Sequence, residues 1–188
     1  MNYFQKLKMV LFRPTEFFNA IKAESGYREP VKFLIITSAV IGFLNFLTGL
    51  ALESVLGPLT PNDFPIDPAV YAILAVPMTI TGYVVGAFVS AALIHIVVRY
   101  FKGTGNYRDT FRASAYDSAP LMLNFIPIIG GLIGSTWSII ILTTGLKTLH
   151  NLTTTKAVLS WLIPPIVILI VASIIFLTLT YSIVSLTQ

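Results

Sequence analysis

Long stretches without any charged side chain constrain the fold of this chain more than any other feature. Residues 69–98 and 157–188 contain no Asp, Glu, Lys or Arg. About 20 consecutive apolar residues suffice for a helix to span the hydrocarbon core of a bilayer. Only 11% of the 188 residues are charged, against about 25% in an average soluble domain. The sequence therefore predicts an all-α polytopic membrane protein and argues against a soluble enzyme, a disordered chain or a coiled coil.

The apolar stretches predict five transmembrane helices that form a membrane domain over residues 31–188. The nearly continuous stretch 114–149 would be roughly 54 Å long as one helix, which is too long for a hydrocarbon core of about 30 Å. We therefore expect two crossings that meet near Pro127 and Gly131. The predicted spans are residues 31–52, 69–98, 109–126, 128–149 and 157–184.

The positions of the basic residues support five crossings. All twelve Lys and Arg residues lie in residues 6–32, in residues 99–112, or at Lys147 and Lys156. Five crossings place these three groups on one side, and the other side receives Glu53, Asp63 and Asp67. The positive-inside rule then predicts a cytoplasmic N-terminus and a C-terminus outside. We expect no cleaved signal peptide and a multi-pass protein of a prokaryotic cell membrane.

Residues 1–30 form a separate amphipathic segment in this prediction. Phe4, Leu7 and Leu11, and then Phe17 and Phe18, recur at helical spacing with basic residues between them. One or two helices with this pattern can lie in the membrane surface. The same apolar face can equally pack on the membrane domain, and the pattern leaves both placements open. Deleting the segment is expected to remove capture of lipid or protein partners and to leave the membrane domain folded.

Small residues at four-residue steps predict close helix packing in two spans. Such residues let helix backbones approach each other within a membrane. We favour packing of the second span against the fourth, and a homodimer seam is the alternative. The residues concerned are Gly82, Gly86 and Ser90 in the second span, and Gly130, Gly134 and Ser138 in the fourth.

Apart from Asp109 at the first position of the third span, Asp117 is the only carboxylate in a predicted span, and His95 lies at a similar depth near the cytoplasmic boundary. An ionisable residue within a membrane is by default a functional hypothesis. A His–Asp pair could hold a proton or bind a cation, with Asn45, Asn124 and Tyr116 as polar neighbours. The favoured interpretation is simpler: Asp117 braces its helix and His95 extends to the interface.

Basic residues of the connector at 99–112 are predicted to bind anionic lipid headgroups on the cytoplasmic side. They can equally bind Glu24 or Glu29 of the N-terminal segment. Nucleic-acid binding is not expected, since the topology already explains the positive face. The predicted headgroup contacts are Arg99, Lys102, Arg108 and Arg112.

Several chemical sites are missing from the sequence. It has no cysteine and two histidines, and it contains no P-loop, nucleophile-elbow or zinc-protease motif. No second carboxylate within the membrane accompanies Asp117, so an aspartyl dyad cannot form. We therefore predict no cofactor, no metal site, no catalytic residue and no enzymatic activity.

Residues 106–120, NYRDTFRASAYDSAP, resemble the start of the third span in the Yip family of Ypt/Rab-interacting membrane proteins. Ala115 replaces the glycine that precedes the tyrosine in the eukaryotic branch, so a Rab-binding role is not carried over. Upstream, the resemblance extends to Pro14, Phe17-Phe18, Tyr27 and Pro30. Downstream, the prokaryotic branch is matched at Ile126-Pro127, Trp137, Gly145-Leu146, His150 and Lys156-Ala157.

The resemblance implies a five-span fold, a cytoplasmic N-terminus and a non-enzymatic role in membrane organisation or trafficking. The leading hypothesis is a scaffold or adaptor that binds membrane lipids and a protein partner, not identified by the sequence, at the cytoplasmic face. The alternative is a small proton- or cation-linked transporter or channel that uses His95 and Asp117.

Overall fold

The structure, a computed structural model, describes residues 1–24, 26–56 and 68–186. Every regular element within these ranges is helical, as predicted. Asp63 and Asp67, predicted for the face opposite the basic residues, lie outside the described residues. The elements are α1 (Tyr3–Phe12), α2 (Pro14–Ala20), α3 (Arg28–Leu56), α4 (Pro68–Tyr100), α5 (Tyr107–Tyr116), a 3-10 helix (Ala119–Phe125), α6 (Ile129–His150) and α7 (Thr154–Leu186).

Four of these helices are long and apolar enough to cross a membrane. They cover the first, second, fourth and fifth predicted spans. The apolar stretches are Arg28–Leu52 in α3, Ile73–Tyr100 in α4, Ile129–His150 in α6 and Thr154–Ser182 in α7. The chain is therefore a multi-pass integral membrane protein by the length and composition of its helices.

The predicted third span, residues 109–126, is not among these four helices. α5 has ten residues, and the chain continues from Ser118 as a 3-10 helix. Pro120 lacks a backbone N–H and so disfavours continuation of the α-helix. Length and composition alone therefore do not confirm the predicted count of five spans.

The bundle is built around the antiparallel pair of α3 and α4. A Cβ atom added at Gly42 of α3 would lie 3.0 Å from Thr79 of α4, and Leu34 packs in one cluster with Ala87 and Ala91. α4 also packs on α5 and α7, and α6 packs on α5, on α7 and on the 3-10 helix. Residues 165–182 of α7 are exposed, as expected for a membrane-spanning helix that is apolar on all sides.

The N-terminal helices pack on the bundle. Asn2 and Gln5 form a capping box at the start of α1, and Pro14 begins α2, where its missing N–H is tolerated. Phe17 and Phe18 of α2 are fully buried, and α2 lies against α6. Of the two placements that the sequence left open, the structure shows packing on the membrane domain. Deleting residues 1–30 would expose this core. Point substitutions are therefore a better test of whether the segment captures lipid or protein partners.

The small residues pack differently from the prediction. A Cβ atom added at Gly130 would clash with the Leu123 carbonyl oxygen, and one added at Gly134 would lie 2.8 Å from the Pro120 carbonyl oxygen. These glycines therefore let α6 approach the 3-10 helix rather than the second span. Gly82 and Gly86 of α4 have no neighbouring atom within 4 Å of an added Cβ. Ser90 and Ser138 are half-buried, and no extended contact joins α4 to α6.

Candidate functional site

Three polar segments meet at one end of the bundle. Lys22 Nζ donates to Asn151 Oδ1 at 2.9 Å, and Asn151 Nδ2 donates to Thr104 Oγ1 at 2.8 Å. The backbone N–H of Thr104 donates to the carbonyl oxygen of His150 at 3.1 Å. These bonds join the N-terminal segment, the α4–α5 connection and the α6–α7 turn. We call this region the polar end: residues 1–24, 26–32, 99–112 and 147–156.

Lys6 ties the N-terminal helix α1 into the bundle. Its side chain is only 3% exposed, and its Nζ lies 3.0 Å from Glu29 Oε2 and 3.6 Å from Glu24 Oε1. The same ammonium lies 3.4 Å from the hydroxyl of Tyr116, the last residue of α5. The Tyr116 ring packs edge-on against Phe17, with 4.7 Å between ring centroids. Tyr116, predicted as a neighbour of a His–Asp pair, is therefore part of the N-terminal packing.

Arg112 is not the lipid contact that the sequence predicted. Its side chain is 3% exposed, and Nη1 donates to Asp109 Oδ1 at 2.9 Å. Nη2 donates to the backbone carbonyl oxygen of Glu24, so the N-terminal segment covers this face of α5. Arg108 remains exposed, with its guanidinium 5.5 Å from the centroid of the Tyr27 ring.

Two polar contacts fix the start of α5. Asn106 and Asp109 form a capping box, in which each side chain accepts a hydrogen bond from the other residue's backbone N–H. The Tyr107 hydroxyl donates to the carbonyl oxygen of Phe88 at 2.8 Å. This bond ties the start of α5 to α4.

His95 belongs to a hydrogen-bonded chain that sequence reasoning missed. Thr110 Oγ1 lies 2.8 Å from His95 Nδ1 and 2.9 Å from His150 Nε2. A hydroxyl has one donor, so at most one of these two ring nitrogens accepts its proton. The chain joins α4, α5 and α6, and Thr110 and His150 are fully buried. Nothing in the local sequence signals this arrangement, because the three residues are 15 and 40 positions apart.

Asp117 lies elsewhere, on a groove between α3, α4 and the start of the 3-10 helix. The groove has a volume of about 500 Å³, and Asn45, Thr79 and Ser114 also line it. Within the described ranges, no hydrogen bond or ion pair involves the Asp117 carboxyl group. We call this cavity the Asp117 groove. His95 does not line it, so the structure does not bring the predicted pair together.

The two asparagines predicted beside that pair are separated. Asn45 lines the Asp117 groove. Asn124, in the 3-10 helix, faces α6: its Oδ1 lies 2.8 Å from the Cβ position of Gly134. That oxygen is buried and has no hydrogen-bond partner among the described residues.

The described residues offer no arrangement for metal binding or for nucleophilic catalysis. No group of three or more His, Asp or Glu side chains converges there. Among the described residues, the hydroxyl that lies between two histidines is that of Thr110, which is fully buried and so presents no nucleophile to a substrate. What the geometry does present is an exposed set of cations at the polar end and an unpartnered carboxyl group in a groove.

Comparison with known proteins gives one match. A family model described as the Yip1 domain matches residues 8–176. No curated protein and no solved structure shows significant similarity to the chain. The match runs from α1 into α7 and so includes both the polar end and the Asp117 groove.

Proposed function

We propose that this chain, which belongs to the Yip1 family of generally non-enzymatic membrane proteins, acts as a membrane scaffold or adaptor. The observation that carries the proposal is the exposed positive charge of the polar end. This end is held together by hydrogen bonds between three segments, so it offers a fixed surface. The exposed cations there include Lys22, Arg28, Lys32, Arg99, Lys102, Arg108, Lys147 and Lys156.

The packing supports a fifth crossing by α5 and the 3-10 helix together. α4 and α6 both end at the polar end, so the chain between them must travel to the far end, where α6 begins. α5 begins beside His150 at the polar end. At the other end of this segment, the Phe125 carbonyl oxygen accepts a hydrogen bond from Thr48 of α3 at 3.0 Å. The two helices together rise about 29 Å, which matches a hydrocarbon core of about 30 Å.

This topology gives the proposed orientation. With five crossings, the two termini lie on opposite sides of the membrane. The positive-inside rule places the basic polar end, and with it the N-terminus, in the cytoplasm. The resemblance to the prokaryotic branch of the family suggests the cell membrane of a prokaryote.

The polar end is also the proposed binding surface for anionic lipid headgroups. Arg99, Lys102 and Arg108 are exposed there, and Arg112 is excluded by its burial. A cation close to an anionic leaflet contributes about 1 kcal/mol. A protein partner with an acidic surface would be attracted by the same charges.

Site-specific photo-crosslinking in native membranes tests the scaffold proposal. A photoreactive amino acid replaces Lys102 at the polar end or, as the control, Ile168 on the exposed face of α7. We expect a discrete protein adduct from position 102 and only lipid adducts from position 168. The proposal is wrong if position 102 yields no protein adduct while the parent protein carries a proton or cation flux in liposomes.

One observation favours the transporter alternative, namely the unpartnered carboxyl group of Asp117. His95 lies in a separate cluster with Thr110, so this alternative would depend on Asp117 without its predicted partner. The liposome flux in the experiment above decides between the two functions.

A further inference from the structure

We infer that the Asp117 groove is a binding site for a membrane lipid, which it recognises through an ammonium group. The groove is separate from the exposed cations of the polar end. The inference therefore does not depend on the proposed scaffold role.

The shape of the groove suits an elongated amphiphile. Leu34 and Asn45 line it on α3, and Ser90 and Thr79 line it on the antiparallel helix α4. Each pair is three helical turns apart, so the groove extends about 16 Å along the helices. Its volume of about 500 Å³ lies within the range of 300–1,000 Å³ that is usual for ligand sites.

Two polar groups in the groove, the Ser114 hydroxyl and the Asp117 carboxyl group, lack partners. Ser114 is 6% exposed, and its hydroxyl has no hydrogen-bond partner among the described residues. The Asp117 carboxyl group, one helical turn further along, is equally unpartnered. Buried polar groups in native proteins almost always have partners. A ligand that donates hydrogen bonds would supply the missing ones.

The charge of the groove favours an ammonium donor. A carboxylate accepts hydrogen bonds and prefers a cationic donor, and an ammonium group carries three N–H donors. No Lys or Arg side chain lines the groove, so the described part of the chain provides no counter-charge of its own. A primary amine fits both Asp117 and Ser114, whereas a quaternary amine has no N–H to donate.

The groove opens to the side of the bundle. Gly82 and Gly86 on α4 are exposed, and an added Cβ at either would meet no atom within 4 Å. Val85 and Val89, on the same helix, are each 55% exposed. Because α3 and α4 are both long enough to span the membrane, a ligand reaches this opening from the bilayer. The occupant is therefore a lipid amine rather than a soluble one.

Native mass spectrometry of the full chain released from nanodiscs tests this site. One set of nanodiscs contains phosphatidylethanolamine and phosphatidylglycerol, and in the other phosphatidylcholine replaces phosphatidylethanolamine. We expect one retained phosphatidylethanolamine molecule per chain. Its occupancy should be roughly tenfold higher than that of phosphatidylcholine, because phosphatidylcholine cannot donate the charge-assisted hydrogen bond to Asp117. Asp117→Asn should remove this preference. Gly86→Leu should exclude the lipid by filling open space, without a clash that would disturb the fold.

Two matched variants serve as controls. Gly131→Leu makes the same change in α6, where an added Cβ also meets no atom within 4 Å. Glu16→Gln neutralises an exposed carboxylate outside the groove. Both should retain phosphatidylethanolamine as the parent does.

The inference is overturned if the two lipids are retained equally, or if Gly86→Leu and Asp117→Asn behave like their controls. It is also overturned if the parent retains an inorganic cation at Asp117 and no lipid. Failure here would leave the photo-crosslinking result at position 102 unchanged, so the two proposals fail separately.

Discussion

Tyr116 and Asp117 are neighbours in the sequence, but their side chains enter two different environments at the end of α5. The Tyr116 hydroxyl meets the ammonium of Lys6, which also contacts Glu24 and Glu29. The Asp117 carboxyl group faces the groove and has no partner among the described residues. Buried polar groups that are bonded across several elements hold those elements together. A polar group without a partner contributes no such connection, which is why we assign the half-buried Asp117 carboxyl group to a ligand.

We call the region around Tyr116 the closed region; it comprises Lys6, Phe17, Phe18, Glu24, Glu29, Asp109 and Arg112, and it depends on the N-terminal segment. Lys6 and Glu24 come from this segment, and Glu24 also accepts a hydrogen bond from Arg112 through its backbone carbonyl. Phe17 and Phe18 fill the space between α2 and the rest of the bundle. The Asp117 groove lacks a corresponding cover in the described residues. The comparison predicts that substitutions in the closed region alter stability, while substitutions in the groove alter binding.

The largest effect is expected from Phe18→Ala, which breaks the closed region. Phe18 is fully buried, and truncating a buried phenylalanine lowers the free energy of unfolding by about 3–5 kcal/mol. Phe12→Ala is the matched control, because Phe12 is 75% exposed and exposed substitutions usually change stability by about 0.5 kcal/mol or less. Unfolding in mixed micelles of detergent and SDS measures the free energy of unfolding of both variants. Equal losses of stability in the two variants would contradict the packing of α2 on the bundle.

A smaller effect is expected from a pair of Asp→Asn substitutions that sharpens the comparison. Asp109 accepts hydrogen bonds from Arg112 and from the Asn106 backbone, so Asp109→Asn should lower the free energy of unfolding by about 1–3 kcal/mol. Asp117→Asn loses no such bond and removes a half-buried ionisable group. In lipid-free detergent it should change stability by about 0.5 kcal/mol or less, or increase it.

The same unfolding measurement in mixed micelles applies to this pair. A loss at Asp117→Asn as large as that at Asp109→Asn would show that Asp117 has a structural partner. The distinction between the closed region and the groove would then fail.

The long helices could be predicted from the sequence because hydrophobic length sets them. The predicted span 69–98 corresponds to α4, Pro68–Tyr100. The third span was harder to predict, because overall apolarity does not show where an α-helix ends. Pro120 was the available signal, and it lies within the 3-10 helix that follows α5.

The candidate site was less predictable, because contacts depend on the direction in which a side chain points around its helix. Sequence spacing placed His95 and Asp117 at a similar depth, but it could not show that His95 faces Thr110. The burial of Arg112 depends on Glu24, which is 88 positions away. Such contacts arise from packing between distant segments, and no local pattern encodes them.

The arrangement of the three basic segments on one side of the membrane is the central claim, and labelling of single cysteines tests it most directly. The chain has no cysteine, so each substitution adds a unique thiol. Lys22→Cys, Lys102→Cys and Lys156→Cys probe the polar end, and Ser54→Cys probes the exposed far end of α3. An impermeant maleimide on intact cells should label position 54 alone, and the other three should react only in inverted vesicles. Labelling of any one polar-end position from outside the cell would contradict the account.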